Sequence, residues 1–223
     1  MNSDPTNPFE IIFEDQHLIV LSKAPGVLSQ GDISGEPSLV DLLRTHFGRN
    51  YVGLLHRLDR NTSGLMIVAK RSKSAERLTE QLQKGILIRK YRAILEGTLT
   101  APAVWKHSLL KNEKTNEVRV VAAGTSGAKA ASLKVTPVKN FSYDGEALTL
   151  AEFELETGRS HQTRVQSAAM KYPLIGDQKY GSTRGMKLFS RPALHSCYLE
   201  FEHPISKEKM SFESLLATDW FQI

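Results

Sequence analysis

The sequence predicts a mixed α+β protein with a mainly antiparallel central β-sheet flanked by helices. Between residues 88 and 153 it contains five β-rich stretches separated by turn residues, a pattern typical of successive strands. Two other stretches place apolar residues at helical spacing, and the continuous apolar run Leu65–Ala69 has the length of a buried strand. Together these segments indicate an α+β architecture.

The first elements are a β-hairpin and a short helix. Two apolar runs, Ile11–Phe13 and Leu18–Leu21, flank four polar residues and predict the hairpin. Ser38 starts a capping-box-like sequence, so a helix is expected from there to about Gly48. Tyr51–Leu55 is expected to form the next strand.

The apolar run Leu65–Ala69 suits a strand that is buried on both faces, near the centre of the sheet. A helix should follow, with Ser72 as its N-cap and Gly85 marking its end. Its apolar face is formed by Ala75, Leu78 and Leu82. We expect this helix to lie across the sheet.

The remaining segments are mainly strands. The β-rich stretches are Tyr91–Leu95, Val104–Leu110, Val118–Ala122, Ala131–Val138 and Leu148–Leu155. Ser160 is expected to cap a helix whose buried face is formed by Val165, Ala168 and Ala169. Two final strands are expected at Leu194–Phe201 and Met210–Phe212.

Composition is that of one globular domain spanning residues 1–223. Its 40% hydrophobic and 24% charged residues are ordinary for a folded protein of this length. No stretch reaches the roughly 18 apolar residues of a membrane span, and no secretory signal is apparent, so we expect a cytoplasmic protein. Cys197 is the only cysteine, which excludes an internal disulfide and a Cys-rich zinc site.

Positive charge is concentrated in one segment. The chain has a net charge of +5, and the segment from Lys70 to Arg92 holds eight basic and two acidic residues. Such a segment is compatible with binding a polyanion, although a solvated helix face gives the same pattern.

The polar loop from His56 to Gly64 is the most informative segment, because it lies between two predicted strands. Asp59 is its central carboxylate. One interpretation is a functional site, and the other is that Asp59 only hydrogen-bonds the backbone amides of a turn formed by residues 61–64.

Two further segments concentrate polar side chains. In Thr157–Arg164, Arg164 falls in the first turn of a predicted helix, where a cation opposes the helix dipole. An anion such as Asp59 or a phosphate would offset that cost, although an ordinary surface arginine fits as well. In Arg89–Leu95, Tyr91 lies among three basic residues, which suits base stacking, or alternatively a tyrosine packed on a neighbouring strand.

These motifs together resemble those of the RluA-type pseudouridine synthases. His56-Arg-Leu-Asp59, continued by Arg-Asn-Thr-Ser-Gly-Leu, is similar to the family's catalytic-aspartate motif, and Arg89-Lys-Tyr-Arg-Ala93 to its tyrosine motif. Thr157–Arg164, with Pro173–Asp177 and Tyr180–Gly181, resembles the family's third motif block. Ala193–His195, with His203–Pro204, resembles the family's closing segment. Ser160 and Thr163 depart from that block, where the family usually has a threonine and an aliphatic residue.

The resemblance extends from Phe9 to Trp220, in the family's order, and implies the pseudouridine synthase fold. Fewer than ten residues precede it, so we expect a stand-alone form without the N-terminal S4-like RNA-binding domain of many members. The implied partner is structured RNA, tRNA or rRNA or both, recognised mainly by the catalytic domain.

The implied reaction isomerises uridine without a cofactor or a metal. Asp59 would be the nucleophile, attacking either C6 of the base or C1′ of the sugar, and Arg164 would keep it ionised. Tyr91 would stack on the uracil and take the C5 proton. Arg57 would fill the space that the flipped uridine leaves.

The other substrate-binding candidates lie in the same motifs. They are His56, Arg60, Thr62, Lys90 and Arg92, for phosphates and flanking bases, with His161 and Gln162 from the third block. A monomer is expected, since no coiled-coil pattern is present.

Two alternatives remain open at this stage. One is a non-catalytic RNA-binding or chaperone protein with the same fold. The other is a metal-dependent hydrolase with His56, Asp59 and His161 as ligands, although no His-Glu-x-x-His spacing occurs.

Overall fold

The structure is a computed structural model that describes residues 7–32, 34–181, 189–214 and 220. Contacts divide the chain into two compact units. The first unit runs through Arg89 and resumes at His195, and the second starts at Lys90 and runs through Leu194. The predicted α+β class, with mainly antiparallel strands, is confirmed.

The described residues form eleven strands and three helices. In chain order they are β1 (Phe9–Glu14), β2 (Leu18–Lys23), α1 (Leu39–Phe47), β3 (Gly53–Leu54), β4 (Ser63–Ala69), α2 (Ser72–Gln83), β5 (Ile88–Glu96), β6 (Ala103–Asn112), β7 (Glu117–Val121), β8 (Lys129–Tyr143), β9 (Glu146–Leu155), α3 (Gln162–Ala169), β10 (Leu194–Glu202) and β11 (Lys209–Glu213).

The sheet of the first unit has the order β1-β2-β4-β10. Strand β4 pairs antiparallel with β2 and parallel with β10, and all seven of its residues are buried, as predicted for an interior strand. β3 also pairs with β4, and β11 pairs with β10. Leu78 of α2 packs into an apolar cluster that includes Leu65 and Ile67 of β4.

Helix α1 starts and ends as its sequence predicts. The Ser38 side chain accepts the Asp41 N–H, the Asp41 side chain accepts the Ser38 N–H, and Gly48 adopts the left-handed conformation at the C-cap. Both ends therefore satisfy backbone groups that a helix leaves unpaired.

Three local predictions are wrong. The strand expected over Tyr51–Leu55 is only the two-residue β3, because just Gly53 and Leu54 pair with β4. The N-cap of α2 is Arg71, not Ser72, and it makes no side-chain capping bond. The N-cap of α3 is His161, not Ser160, because His161 adopts a left-handed conformation from which the helix starts.

The second unit contains a fully antiparallel sheet with the order β5-β9-β8-β6-β7. Each of its strands overlaps a predicted stretch. Val165 of α3 packs with Leu109, Val118 and Ala131 from three of these strands. This packing fixes α3 against the sheet and so positions the residues of the Thr157–Arg164 segment.

Within the described ranges, the helices are all too short or too polar to span a membrane.

Candidate active site

The loop between β3 and β4 holds Asp59 between two anchored residues. Ser29 Oγ accepts the N–H of Leu58 at 3.1 Å and donates to the Leu58 carbonyl at 2.7 Å. On the other side, the carbonyl of Arg60 accepts the N–H of Gly26 at 2.9 Å. The Thr62 N–H donates to the Asp59 carbonyl at 3.0 Å and closes the turn. The backbone of Asp59 is therefore fixed on both sides.

Lys23 strengthens this anchoring from beneath the loop. Its side chain is buried, and Nζ donates to the carbonyls of Ala24 and Val27 at 2.8 Å and of Arg60 at 3.0 Å. Three acceptors arranged in this way match the three N–H donors of an ammonium group and offset its burial. Sequence reasoning assigned no role to Lys23.

Gly64 ends the loop at a close approach of two strands. Its φ is +105°, and a Cβ there would clash with the backbone of Ser196 on β10. A hydrogen bond of 2.9 Å between Ser63 Oγ and His195 Nδ1 joins the same two strands. Glycine is therefore required for β10 to pair with the start of β4.

His56 is buried and neutral. Its Nε2 accepts the N–H of Ile67 at 3.3 Å, so the ring proton lies on Nδ1. Burial, followed by the nearby charge of Arg89, lowers the pKa of His56 to about 3. These features argue against a charged phosphate contact and against metal ligation through Nε2. Instead, His56 accepts the N–H of Ile67, which lies on β4 between the residues that pair with β10 and those that pair with β3.

The other loop candidates differ in exposure. Arg57 is exposed, and no side chain of the described residues pairs with it. Arg60 is exposed as well, but it donates to the Gly26 carbonyl at 3.0 Å and forms an ion pair with Glu36. Thr62 is buried. Arg57 is thus a surface arginine that no carboxylate of the described chain holds.

In the second unit, Arg164 forms a two-point ion pair with Asp177. Its Nε and Nη2 donate to the two carboxylate oxygens at 2.7 and 2.8 Å, and the side chains are 12% and 0% exposed. Burial acts to raise the pKa of Asp177, but Arg164 and the backbone N–H groups of Lys179 and Tyr180 hold it below its usual value. Asp177 therefore remains a carboxylate and fixes one edge of the guanidinium.

Tyr180 supports the same guanidinium. The Arg164 Cζ lies 5.1 Å from the centre of the Tyr180 ring, a cation–π distance. The Tyr180 hydroxyl accepts the Val118 N–H at 2.9 Å and lies 2.8 Å from His161 Nδ1. His161 thus helps to hold Tyr180 in place.

Sequence reasoning missed the roles of Asp177 and Tyr180, which it included in the third block without assigning them a function. One signal was present: Asp177 is the only acidic residue between Glu156 and Glu200. A single carboxylate in a long basic segment is a strong candidate for pairing with a buried arginine.

Gln162 holds the loop that precedes α3. Its Oε1 accepts the Arg159 N–H at 2.9 Å and the Thr157 hydroxyl at 2.8 Å, while Nε2 donates to the Ser132 carbonyl at 3.1 Å. Because three of its hydrogen-bonding positions are occupied within the protein, the side chain acts chiefly in shaping this loop.

Strand β5 places its candidates on alternate faces. Tyr91 is only 4% exposed and lies opposite Phe153 of β9. Lys90 Nζ lies 3.1 Å from one carboxylate oxygen of Glu152, and Arg92 Nε lies 4.0 Å from the other. Their positive charge is partly offset there.

The candidate residues belong to both units. His56, Arg57, Asp59, Arg60 and Thr62 are brought together in one loop of the first unit. The second unit contains Lys90, Tyr91, Arg92, His161, Gln162 and Arg164, of which His161 and Arg164 both contact Tyr180. In the described part of the chain, no group of three or more His, Cys, Asp or Glu residues is placed to hold a metal ion.

Comparisons with known proteins agree on one family. Residues 17–169 match the family described as RNA pseudouridylate synthase. An uncharacterised RNA pseudouridine synthase of Bacillus subtilis, YhcT, is 34% identical over 94% of this chain and 69% of its own length. The ribosomal large subunit pseudouridine synthase D of Zymomonas mobilis is 31% identical, over 95% and 70%.

Solved structures show the same fold. The human RNA pseudouridylate synthase domain containing 1 superposes with a TM-score of 0.76 over 96% of this chain and 86% of its own, at 23% identity. The human RNA pseudouridylate synthase domain containing 4 gives a TM-score of 0.74 over 95% and 90%, at 20% identity.

Proposed function

Because the chain belongs to the RNA pseudouridylate synthase family, we propose that it isomerises specific uridines in structured RNA, with Asp59 as the nucleophile. In this reaction the N1–C1′ bond breaks, the uracil rotates, and C5 forms a bond to C1′; C5 loses its proton and N1 gains one. A carboxylate that forms a covalent intermediate, at C6 or at C1′, divides this rearrangement into easier steps.

The anchoring of the Asp59 loop is the observation on which the proposal rests. Hydrogen bonds from Ser29, Gly26 and Lys23 hold the residues on either side of Asp59. A nucleophile fixed in this way loses little conformational freedom when it reaches the reacting atom. The three carbonyls that accept from the buried Lys23 add to this fixation.

We assign Arg164 to keep Asp59 ionised and Tyr91 to stack on the uracil and remove the C5 proton. The pairing of Asp177 with the Nε and Nη2 edge of Arg164 supports a fixed orientation of that guanidinium. Replacing Arg164 by methionine would leave the buried carboxylate of Asp177 without its cation. Arg164→Lys is therefore the better test, because it retains the charge and removes the two-point geometry.

Arg57 is proposed to occupy the space that the flipped uridine leaves, and its exposure without an acidic partner suits that role. Arg60, Lys90 and Arg92 are proposed to contact phosphates or flanking bases, and Thr62, which is buried, to support the loop. For His56, His161 and Gln162, the hydrogen bonds within the protein favour a supporting role at the edge of the RNA-binding surface.

The substrate is proposed to be rRNA, tRNA or both. Relatives such as the Zymomonas mobilis enzyme are named for the large ribosomal subunit, which makes that rRNA the first to test. We further propose that the enzyme acts as a cytoplasmic monomer without a cofactor. Sedimentation of the purified protein with and without RNA tests the monomer.

Release of tritium from RNA labelled at uracil C5 tests the reaction and the nucleophile together. Unmodified rRNA and tRNA are incubated separately with wild type, Asp59→Asn and a control variant, Asp144→Asn. Asp144 is exposed and has a φ of +50°, which asparagine tolerates, so the control makes the same chemical change at a neutral position. We expect release by wild type and the control alone. Equal release by Asp59→Asn would refute the assignment.

A further inference from the structure

Arg89 is a buried arginine for which the described residues provide no carboxylate. It is 6% exposed, and its guanidinium has neither a hydrogen bond nor an ion pair with them. Taking a guanidinium out of water without an anionic partner is unfavourable, and natural proteins rarely do so. Its environment is made more unusual by His56, which lies close enough for the charge of Arg89 to lower its pKa.

The guanidinium is enclosed at one end and open at the other. Nε is a buried atom without a hydrogen-bond partner, whereas neither terminal nitrogen is among the buried atoms that lack a partner. Since Arg89 makes no hydrogen bond with the described residues, both terminal nitrogens must reach the surface. The two Nη atoms therefore keep contact with solvent, while Nε and most of the side chain are enclosed.

The cations that follow Arg89 on β5 have an acidic neighbour, and so does Arg60 in the loop of the first unit. Lys90 and Arg92 lie near Glu152, and Arg60 pairs with Glu36. Arg89 therefore differs from Lys90 and Arg92, which follow it on the same strand. A fixed cation with an accessible tip and no internal counter-charge is suited to an anion from outside the protein.

We propose that the terminal nitrogens of Arg89 bind a backbone phosphate of the RNA substrate. The planar guanidinium donates two parallel hydrogen bonds to a phosphate, and the packed side chain is already oriented for them. On β5 itself, Arg89 and Tyr91 are two residues apart and so project from the same face of the strand. The proposal rests on the proposed function, since it takes RNA as the ligand.

Salt dependence of RNA binding tests the contact. The affinity of Asp59→Asn for unmodified rRNA and tRNA fragments is measured over a range of salt, with and without Arg89→Met added. Loss of one phosphate contact should reduce the slope of log K against log salt by about one. Arg119→Met in the same background is the matched control, because Arg119 is exposed and its side chain forms no ion pair with a described residue. It should leave the slope unchanged.

Thermal unfolding with inorganic phosphate gives a second measurement. We expect phosphate to raise the Tm of wild type above that in chloride of equal ionic strength, and to raise the Tm of Arg89→Met by less, since the general stabilising effect of phosphate remains. Without phosphate, Arg89→Met should unfold at the same temperature as wild type or higher, because it removes a buried charge that has no partner. The wild-type titration remains informative even if the variant does not fold.

Three results would overturn the proposal. An unchanged slope in Arg89→Met would exclude an RNA phosphate. A lower Tm of that variant without phosphate, with the slope intact, would make Arg89 a structural residue. A phosphate effect on Tm that is smaller in Arg89→Met, without a change in slope, would assign the site to small anions instead. Because binding is measured in an Asp59→Asn background, a failure of tritium release would refute the proposed function without affecting these outcomes.

Discussion

Replacing Asp177 by asparagine should destabilise the protein far more than breaking an exposed ion pair. The change removes the charge that faces Arg164, although the asparagine oxygen retains one of the acceptors for the N–H groups of Lys179 and Tyr180. Removing one partner of a buried pair costs about 3–5 kcal/mol, and the retained acceptor places the expected loss near 3 kcal/mol. A domain with roughly 5–15 kcal/mol of stability stays folded after that loss.

Urea unfolding followed by circular dichroism measures this loss. Glu36→Gln is the control, because it breaks the Arg60–Glu36 pair, in which both side chains are about half exposed. Exposed pairs contribute about 0–1 kcal/mol, so the control should unfold close to wild type. If Asp177→Asn lost no more stability than Glu36→Gln, the argument that Asp177 anchors Arg164 would be refuted.

The difference between wild type and Asp177→Asn should also depend on pH. In the folded protein the pKa of Asp177 lies below the ordinary value of 3.8, so its contribution is fully present above pH 3.8. As the pH falls from that value through the folded pKa, the carboxylate binds a proton and the contribution is lost. The free energies of unfolding of wild type and Asp177→Asn should therefore approach each other only below about pH 3.8.

Three further outcomes are expected. His56 has a folded pKa of about 3, against 6.5 for the free side chain, so its contribution to stability is present above pH 6.5 and is lost as the pH falls toward 3. In urea unfolding, the free energy of unfolding of His56→Gln should vary with pH by up to about 1.4 kcal/mol per pH unit less than that of wild type. An unchanged pH dependence would contradict the burial of His56. Arg57→Ala should change stability by no more than about 0.5 kcal/mol, yet slow tritium release from helical RNA more than from an unstructured oligonucleotide. Tyr91→Phe should bind RNA with unchanged affinity in a filter assay but lose most tritium release, and full activity would exclude the proton role.

Much of the fold was predictable because its signals are local. The buried strand β4 has a continuous apolar run, and α1 has Ser38, Asp41 and Gly48 at positions that satisfy its own backbone groups. These features involve residues within a few positions of one another, so the sequence shows them directly. The same holds for the end of the loop that contains Asp59, which is marked by the apolar strand β4.

The errors and omissions arise from contacts between distant residues. The start of α3 depends on the left-handed conformation of His161, whose ring contacts Tyr180 far along the chain. Arg164 finds its carboxylate 13 positions away, and Lys23 reaches the carbonyl of Arg60 at a separation of 37. No periodicity or capping rule specifies such pairs, because each depends on how the elements pack.

The hydrogen bonds around Asp59 also determine how this segment opens. The N–H groups of Gly26, Leu58 and Thr62 all donate within the protein, although none of these residues lies in a helix or strand. Their amide hydrogens should exchange with deuterated solvent slowly, at rates closer to those of β4 than to those of an ordinary surface loop. The segment that presents the carboxylate would then open only together with the sheet beneath it, so protease cleavage in this loop should require partial unfolding of the first unit.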